Sequence, residues 1–476
     1  MATELVERGE YATPSRWGTP YQHDNNAAGG TGPDSVKPSE STSRTRRNAL
    51  KSLAAAGLLG VAGCLGDSDS TDQPTQTPGS TTNRQTTTGN RSTETDTSDG
   101  QQSEPSNVAQ STLVDDFENL SEWTVESGSL HADDSQTFTG SQSARLERTQ
   151  GPVSISRPVD IDGSTTDLSL AFRMDSSGNA VPQVKLYAPD EANSLVVGEG
   201  IREESNRNWF RLDLGARRVN GLPNLEEVSR LEIRIRGGGP DTKFWIDDLR
   251  TTPSPDSGKA MIFFDDGLVS AYENAYPVLQ EHEMSAASSI VTGEVGAENH
   301  MSIEQMEELQ SNGWEMVSHT HSHVSLQGIS RVEAEREIVN ARQWLVDHGF
   351  ETGARSIVYP YGGFTDATAS FANQYHDLGF RYMDTLSSGS GRVTQNMTAS
   401  RGDASNLERA KKMVDLGQLY SDLEMFTFHE VGGSSEGLQM STGDFEEFVS
   451  YLDDSDLEVI TPSTLWDRYQ ATAPMD

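Results

Sequence analysis

Residues 315–326 read "EMVSHTHSHVSL", which puts His319, His321 and His323, three of the chain's ten histidines, on alternate positions after a short apolar run. His319 and His323, with three residues between them, can converge on one metal ion from a turn or a helix. A second stretch, "FFDDG", brings Asp265 and Asp266 to the end of another apolar run. A carboxylate plus two imidazoles makes a facial site with open positions, suited to Zn²⁺ or a similar divalent ion. Asp266, His319 and His323 can supply it, leaving the other positions to water and a substrate oxygen. Metal binding makes the water more acidic and polarises a carbonyl. Asp265, beside the ligand, can take the proton as general base, and His429, in the later run "EMFTFHE", can protonate a leaving group. The set describes metal-assisted acyl hydrolysis. Singly, each piece has an ordinary reading: a turn, a core histidine, a polar loop. The case rests on their joint placement.

Elements that could bring them together follow one pattern from Lys259 onward. "KAMIFF", "AASSIVT", "WEMVSH", "RSIVYPYG", "RYMDTL" and "EMFTFHE" are short apolar runs, and between most of them lie amphipathic stretches such as "SIEQMEELQSNG" and "RVEAEREIVNARQWLVDHG". Buried strands alternating with amphipathic helices mean βα units and a parallel sheet, and six or seven repeats favour a barrel. In a barrel of this kind, catalytic groups sit at the C-terminal ends of strands. Asp265, Asp266, His319, Tyr361 and His429 all fall there.

Residues 258–470 resemble the polysaccharide deacetylase family (NodB-type, carbohydrate esterase family 4). "FFDDG" is similar to the family's first motif, which implies Asp265 as base and Asp266 as metal ligand. "SHTHSH" is similar to the second and implies His319 and His323 as ligands. The apolar run before it ends near Ser318, so "HTHSH" is expected as a turn, with His321 lining or packing on the groove and not binding metal. "YPYGG" resembles the third motif, where Pro360 and Tyr361 would serve substrate and oxyanion, the latter through the Tyr361 backbone N–H. "FTFHEV" resembles the last and implies His429 as acid. Many members carry an arginine two residues before the third motif's proline; here that position is Val358, and Arg401 in "ASRGD" is the candidate to orient Asp265 instead. The family's Asp-x-x-Trp motif has no convincing match, so the sugar is left open. The resemblance implies a divalent metal, Zn²⁺ first, with Co²⁺, Mn²⁺ or Ni²⁺ as alternatives. It also implies removal of N-acetyl groups from amino-sugar polysaccharide. The rivals are an O-acetyl esterase of the xylan type and a non-catalytic surface glycan-binding lipoprotein.

Ahead of this region, "SARLER", "DLSLAFRM", "VPQVKLYA", "NWFRLDLG", "RLEIRIRG" and "KFWIDDLR" alternate apolar and polar residues, the pattern of a β-sandwich. Its "DDFE" opening and "WIDDL" close resemble the terminal strands of jelly-roll carbohydrate-binding modules. Asp115, Asp116, Asp247 and Asp248 are candidate ligands for a structural calcium if the two ends pair. Earlier still, "TRRNALKSLAAAGLLGVAGC" joins Arg46 and Arg47 to a short apolar run and the chain's one cysteine, Cys64. It resembles a twin-arginine export signal with a lipobox, which implies lipidation of Cys64 and a membrane-anchored protein outside the cell. Between Gly66 and Asn107 there is no Ala, Val, Leu, Ile, Met or aromatic residue, the composition of a disordered tether. With one cysteine, neither an intramolecular disulfide nor a thiolate metal cluster can form.

The 476 residues carry 73 acidic and 36 basic side chains, for a formal charge of −37. That balance argues against nucleic acid as a partner, and fits a surface adapted to high salt, where charges are screened. The expected class is thus α/β: a distorted (β/α) barrel over 258–476, preceded by an all-β jelly-roll sandwich over 113–252. Residues 1–64 form the N-terminal extension and signal, and 65–112 the tether. The protein is expected to act as a monomer on polysaccharide.

Overall fold

The computed structural model describes residues 111–472, except 150, 176–178, 202–208, 240, 384–385, 392–398 and 434–437. The export signal, Cys64 and nearly all of the tether therefore lie outside the described residues. Every described element belongs to the unit running from Ser98 to Asp476.

Strands between Thr112 and Pro253 form two six-stranded antiparallel sheets. The strand Val228–Gly237 shows why: Leu231, Ile233 and Ile235 are buried, while Arg230, Glu232 and Arg234 between them are partly exposed. Such alternation leaves one apolar face, and the sheets bury theirs against each other, Leu146, Leu170 and Phe172 of one meeting Ile155, Val184 and Ile233 of the other. The two ends of the region do pair, Thr112 opposite Thr251 and Leu113 opposite Arg250. Their carboxylates, however, are taken up by donors. Asp115 accepts from the Phe117 N–H and Trp123 Nε1 and pairs with Arg157, and Asp116 accepts from the Glu118 N–H. Asp247 accepts three backbone N–H groups, and Asp248 pairs with Arg211 and Arg250. This corrects the calcium expectation, since a cation would have to displace those donors.

The second region begins at β1 (Lys259–Phe264) and continues through β2 (Ala287–Ile290), β3 (Glu315–Ser318), β4 (Ser356–Val358), β5 (Leu378–Tyr382), β6 (Ala399–Asp403) and β7 (Leu423–Phe428). Each pairs in parallel with the next, and β7 pairs with β1, so seven strands close into a barrel. The closure is uneven. Only Phe263 and Phe264 of β1 reach β2, and the lower end of β1 pairs with the short strand Glu458–Val459. Met261, Phe263, Val317, Val358, Phe380 and Met425 fill the interior.

Outside run α1 (Tyr276–Glu281), α2 (Ile303–Ser311), α3 (Arg331–Asp347), α4 (Asp366–Ala372), α5 (Leu407–Tyr420), α6 (Thr442–Asp453) and α7 (Pro462–Thr472). Their starts are written in the sequence. Ser302 with Gln305, and Ser330 with Glu333, form capping boxes in which each side chain satisfies the other's backbone N–H. On α3, Ala334, Ile338, Ala341 and Leu345 make the buried stripe at helical spacing. Among the described residues no helix is long and apolar enough to cross a membrane.

Candidate active site

The sequence-predicted groups meet at the C-terminal mouth of the barrel. Asp265 and Asp266 follow β1, His319 to His323 follow β3, Pro360 and Tyr361 follow β4, and His429 follows β7. These turns are bent in an unusual way. Nine non-glycine residues among those described have positive φ, and four of them, Asp266, Thr320, His323 and Tyr361, lie in the mouth loops. Each such residue costs on the order of 1–3 kcal/mol, which the surroundings must impose. At Asp266 (φ 72°) and Gly267 (φ 72°) the consequence is direct: the chain turns back on itself, and adjacent aspartates have different neighbours.

Asp265 is 3% exposed and held on three sides. Arg401, itself fully buried, donates from Nη1 to Oδ1 at 2.8 Å and from Nη2 to Oδ2 at 2.9 Å. Ser289 Oγ donates to Oδ1 at 2.8 Å. Burial pushes this carboxyl up, but the charge and hydrogen bonds of Arg401, with smaller contributions from His319 and His429, hold it well below the usual carboxylate range. The Arg401 guanidinium also lies 4.8 Å from the centre of the Phe263 ring. The candidate read from "ASRGD" thus sits on Asp265 from β6, two places round the barrel wall from β1.

Asp266 faces the other way. Its Oδ1 lies 3.1 Å from His323 Nε2 and 3.5 Å from His319 Nε2, yet it is buried with no hydrogen-bond partner. His319 Nδ1 is 2.8 Å from the Val358 carbonyl, to which it must donate, so a neutral ring leaves the Nε2 lone pair directed at the cluster. One ligand atom from each of the three residues lies within 4.8 Å of the others, and among the described residues this is the only such group of three or more. A carboxylate oxygen and two ring nitrogens converging in this way fit a divalent cation.

His321 is turned elsewhere. Its Nδ1 is 3.0 Å from Thr292 Oγ1, and its carbonyl accepts the Gly293 N–H at 2.8 Å. A Cβ on Gly293 would lie 2.6 Å from that carbonyl oxygen, which explains the glycine. The turn is fastened by a residue that sequence reasoning missed. Glu337 on α3 accepts the N–H groups of His321 (3.0 Å) and Ser322 (2.8 Å) and the Ser322 hydroxyl (2.7 Å). Its signal was faint: an acidic residue on the partly buried side of a helix, in a chain full of acids. Pro360 is buried, and Tyr361 stands 64% exposed with its ring 4.7 Å from that of His323. His429 is half-buried, its ring edge-on to Tyr382 at 6.3 Å. Residues from five strand ends thus surround one opening.

Residues 253–383 match the model of the polysaccharide deacetylase family. The matched stretch contains Asp265, Asp266, His319, His323, Pro360 and Tyr361; Arg401 and His429 lie beyond it. A Bacillus subtilis (strain 168) protein, YxkH, named for polysaccharide deacetylase, is 30% identical over 151 residues, 32% of this chain and 53% of its own length. The poly-β-1,6-N-acetyl-D-glucosamine N-deacetylase of Staphylococcus aureus (strain MSSA476) is 31% identical over 118 residues, 22% of this chain and 41% of that one. The chain therefore spans about half the length, or less, of these curated relatives. Among solved structures, IcaB from Ammonifex degensii is 26% identical, with 30% of this chain and 66% of that chain covered and a TM-score of 0.26. The peptidoglycan deacetylase PdaC from Bacillus subtilis (mutant D285S) is 16% identical, with 46% and 93% covered and a TM-score of 0.33.

Proposed function

We propose that this protein is a metal-dependent hydrolase that removes N-acetyl groups from amino-sugar polysaccharide. The observation that carries the reading is the pairing of two unlike aspartates: Asp266 partnerless beside two imidazole nitrogens, and Asp265 clamped in ionised form next to it. Asp266, His319 and His323 would hold the metal, Zn²⁺ in the first instance. When bound, the ion supplies Lewis acidity toward an acetyl carbonyl and lowers the pKa of water.

The chain's own groups do the rest. Asp265 accepts the proton of the attacking water, and Arg401 with Ser289 keeps its carboxylate fixed while it does so. As the C–N bond of the acetamide breaks, His429 delivers a proton to the departing amine. The backbone N–H of Tyr361 serves the oxyanion, and its exposed ring offers a flat face to a sugar. The relatives' names favour N-acetylglucosamine polymers as substrate. An export signal ending at Cys64, a lipid anchor and a tether would place the enzyme outside the membrane as a monomer among its polymers. The sandwich is read as a jelly roll of the carbohydrate-binding kind, and the net charge of −37 as adaptation to high salt.

The deciding experiment measures acetate release by the purified chain in high salt. Poly-N-acetylglucosamine, chitin oligomers and acetylated xylan are compared, with and without chelator. Chelator-sensitive release from the amino-sugar polymers is expected. Release from xylan alone would make the protein an O-acetyl esterase, and release from none would leave it a binding protein.

A further inference from the structure

The barrel's outer wall is built differently at β5 and β6. Side chains alternate along these strands, so Phe380 and Ala399 join the inner core, and Tyr382 and Arg401 share their inward face at the mouth. Between them Arg381 and Ser400, opposite each other in register, point outward. None of the described residues in the connection 383–398 is helical. The sandwich meets these strands instead. Glu199 of the sandwich region accepts from Arg381 Nη2, and from Ser400 Oγ at 2.6 Å. Arg381 Nε donates to Ser400 Oγ at 2.9 Å, and Nη2 also reaches the Gly200 carbonyl at 3.2 Å. The side chains of Arg381 and Glu199 are 4% and 14% exposed. One carboxylate oxygen thus ties two barrel strands together from outside. The same seam has two other latches. Asp213 accepts from the Ser390 N–H and hydroxyl, each at 2.9 Å, and Asp422 accepts from the Ala216 N–H at 2.8 Å and the Ser387 hydroxyl at 2.9 Å.

We infer that Glu199 is a positioning residue for the barrel's mouth. By fixing Arg381 against Ser400, it sets the placement of their inward neighbours: Tyr382, which stands against the His429 ring, and Arg401, which clamps Asp265. The argument is one of lever arms. Ser400 and Arg401 are consecutive residues of one strand, as are Arg381 and Tyr382, so a shift that relieves an unpaired, buried Arg381 moves the inward side chains with it. Displacements of about 1 Å at catalytic groups cost up to about 10²-fold in rate. The sandwich is then a working part of the barrel and not only a spacer or a separate binding module. This inference rests on the hydrolase reading for its kinetic consequence, but not for its structural one.

The test compares full-length Glu199→Ala, Glu199→Asp and Asp213→Asn with wild type. Asp213 serves as the control because it latches the same seam through Ser390, a residue outside β5 and β6. Glu199→Ala should lower kcat for acetate release about 10–100-fold with KM changed less than about threefold, and metal content should stay stoichiometric. Glu199→Asp should recover part of the loss. Asp213→Asn should lower Tm while leaving kcat near wild type. Ser400→Ala, which keeps the Glu199–Arg381 pair, covers the case in which Glu199→Ala does not fold, with a smaller loss of kcat expected. A structural readout runs in parallel: NMR of the Arg401 guanidinium and His429 ring should change in the Glu199 or Ser400 variant and not in Asp213→Asn. Unchanged resonances, or equal kcat losses for Asp213→Asn and Glu199→Ala, overturn the inference. Wild type that releases no acetate defeats the hydrolase reading, and the NMR comparison still decides the role of Glu199.

Discussion

The dipeptide Asp-Asp occurs in both halves of this molecule, as Asp247–Asp248 at an irregularity within the sandwich strand Lys243–Pro253 and as Asp265–Asp266 directly after β1 of the barrel. The parallels run deep. In each pair one aspartate is bound by arginine, Asp248 by Arg211 and Arg250, Asp265 by Arg401. In each pair the second aspartate has positive φ, 45° at Asp248 and 72° at Asp266. The difference lies in the remaining carboxylate. Asp247 accepts the backbone N–H groups of Phe138, Thr139 and Asp248, and so finishes a corner of the sandwich. Asp266 Oδ1 accepts from nothing and faces two imidazoles. Burial pushes the Asp247 carboxyl up to about 6, whereas Asp266, despite burial, is held well below the usual range by His319 and His323. Acidity is common to both. What distinguishes the candidate site is one oxygen, Asp266 Oδ1, which has no hydrogen-bond donor where Asp247 has three.

The largest contrast should come from the metal. His319→Ala and His323→Ala should each abolish stoichiometric metal binding, while Asp247→Asn should leave it intact and lower Tm. Metal analysis and thermal melts of the three purified variants make the check. A full site in His323→Ala would dissolve the distinction between the two pairs. Next comes the division of labour within the barrel's pair. Asp265→Asn should retain metal and lose roughly 10²–10⁴-fold in activity. Parallel loss of metal and activity would mean that the two aspartates have exchanged roles.

A third expectation concerns the turn carrying His323. Glu337→Gln keeps a neutral acceptor but removes the charge that holds two N–H groups and a hydroxyl, so metal affinity should fall about 10–100-fold. Competition with a chelator of known affinity measures it, and unchanged affinity would make Glu337 an ordinary helix residue. The smallest effect belongs to His321. With its ring on Thr292, His321→Ala should keep the metal and lose activity by no more than about tenfold, the low end for a residue outside the ligand set. An empty site in that variant would show that the middle histidine had been misread.

Much of this was legible before any coordinates. The βα alternation marked every barrel strand except two: Leu378–Tyr382 was placed late, at "RYMDTL", and Ala399–Asp403, whose "ASRGD" carries too little apolar signal to read as a strand, was missed although its arginine stood out. Strong period-2 runs marked half of the sandwich. Thr124–Ser127 and Ser129–Asp133 were missed because they are short and largely exposed, and Ser194–Gly198 because all five of its residues are buried and nothing alternates. For the site, residue type and position at strand ends sufficed to gather Asp265, Asp266, His319, His323, Tyr361 and His429. Sequence could not supply direction. Which aspartate faces the histidines depends on one turn in φ, and which carboxylate anchors the "HTHSH" loop depends on α3 passing close to it. Glu199 and Glu337 were invisible for the same reason, each being one acid among 73 until its partners were known.

The triangle of Glu199, Arg381 and Ser400 also bears on how such a chain can change over generations. A buried arginine that loses its carboxylate is left with an uncompensated charge, at a cost of about 3–5 kcal/mol. Glu199 can therefore drift only if Arg381 drifts with it, although 181 residues separate them in the sequence. Homologues that keep this sandwich on this barrel should show the two positions covarying. Homologues with a different domain in front should show an apolar or helix-covered residue at the position of Arg381. The seam would then be a record of which front domain each barrel has been inherited with, readable even where that domain has since diverged beyond recognition.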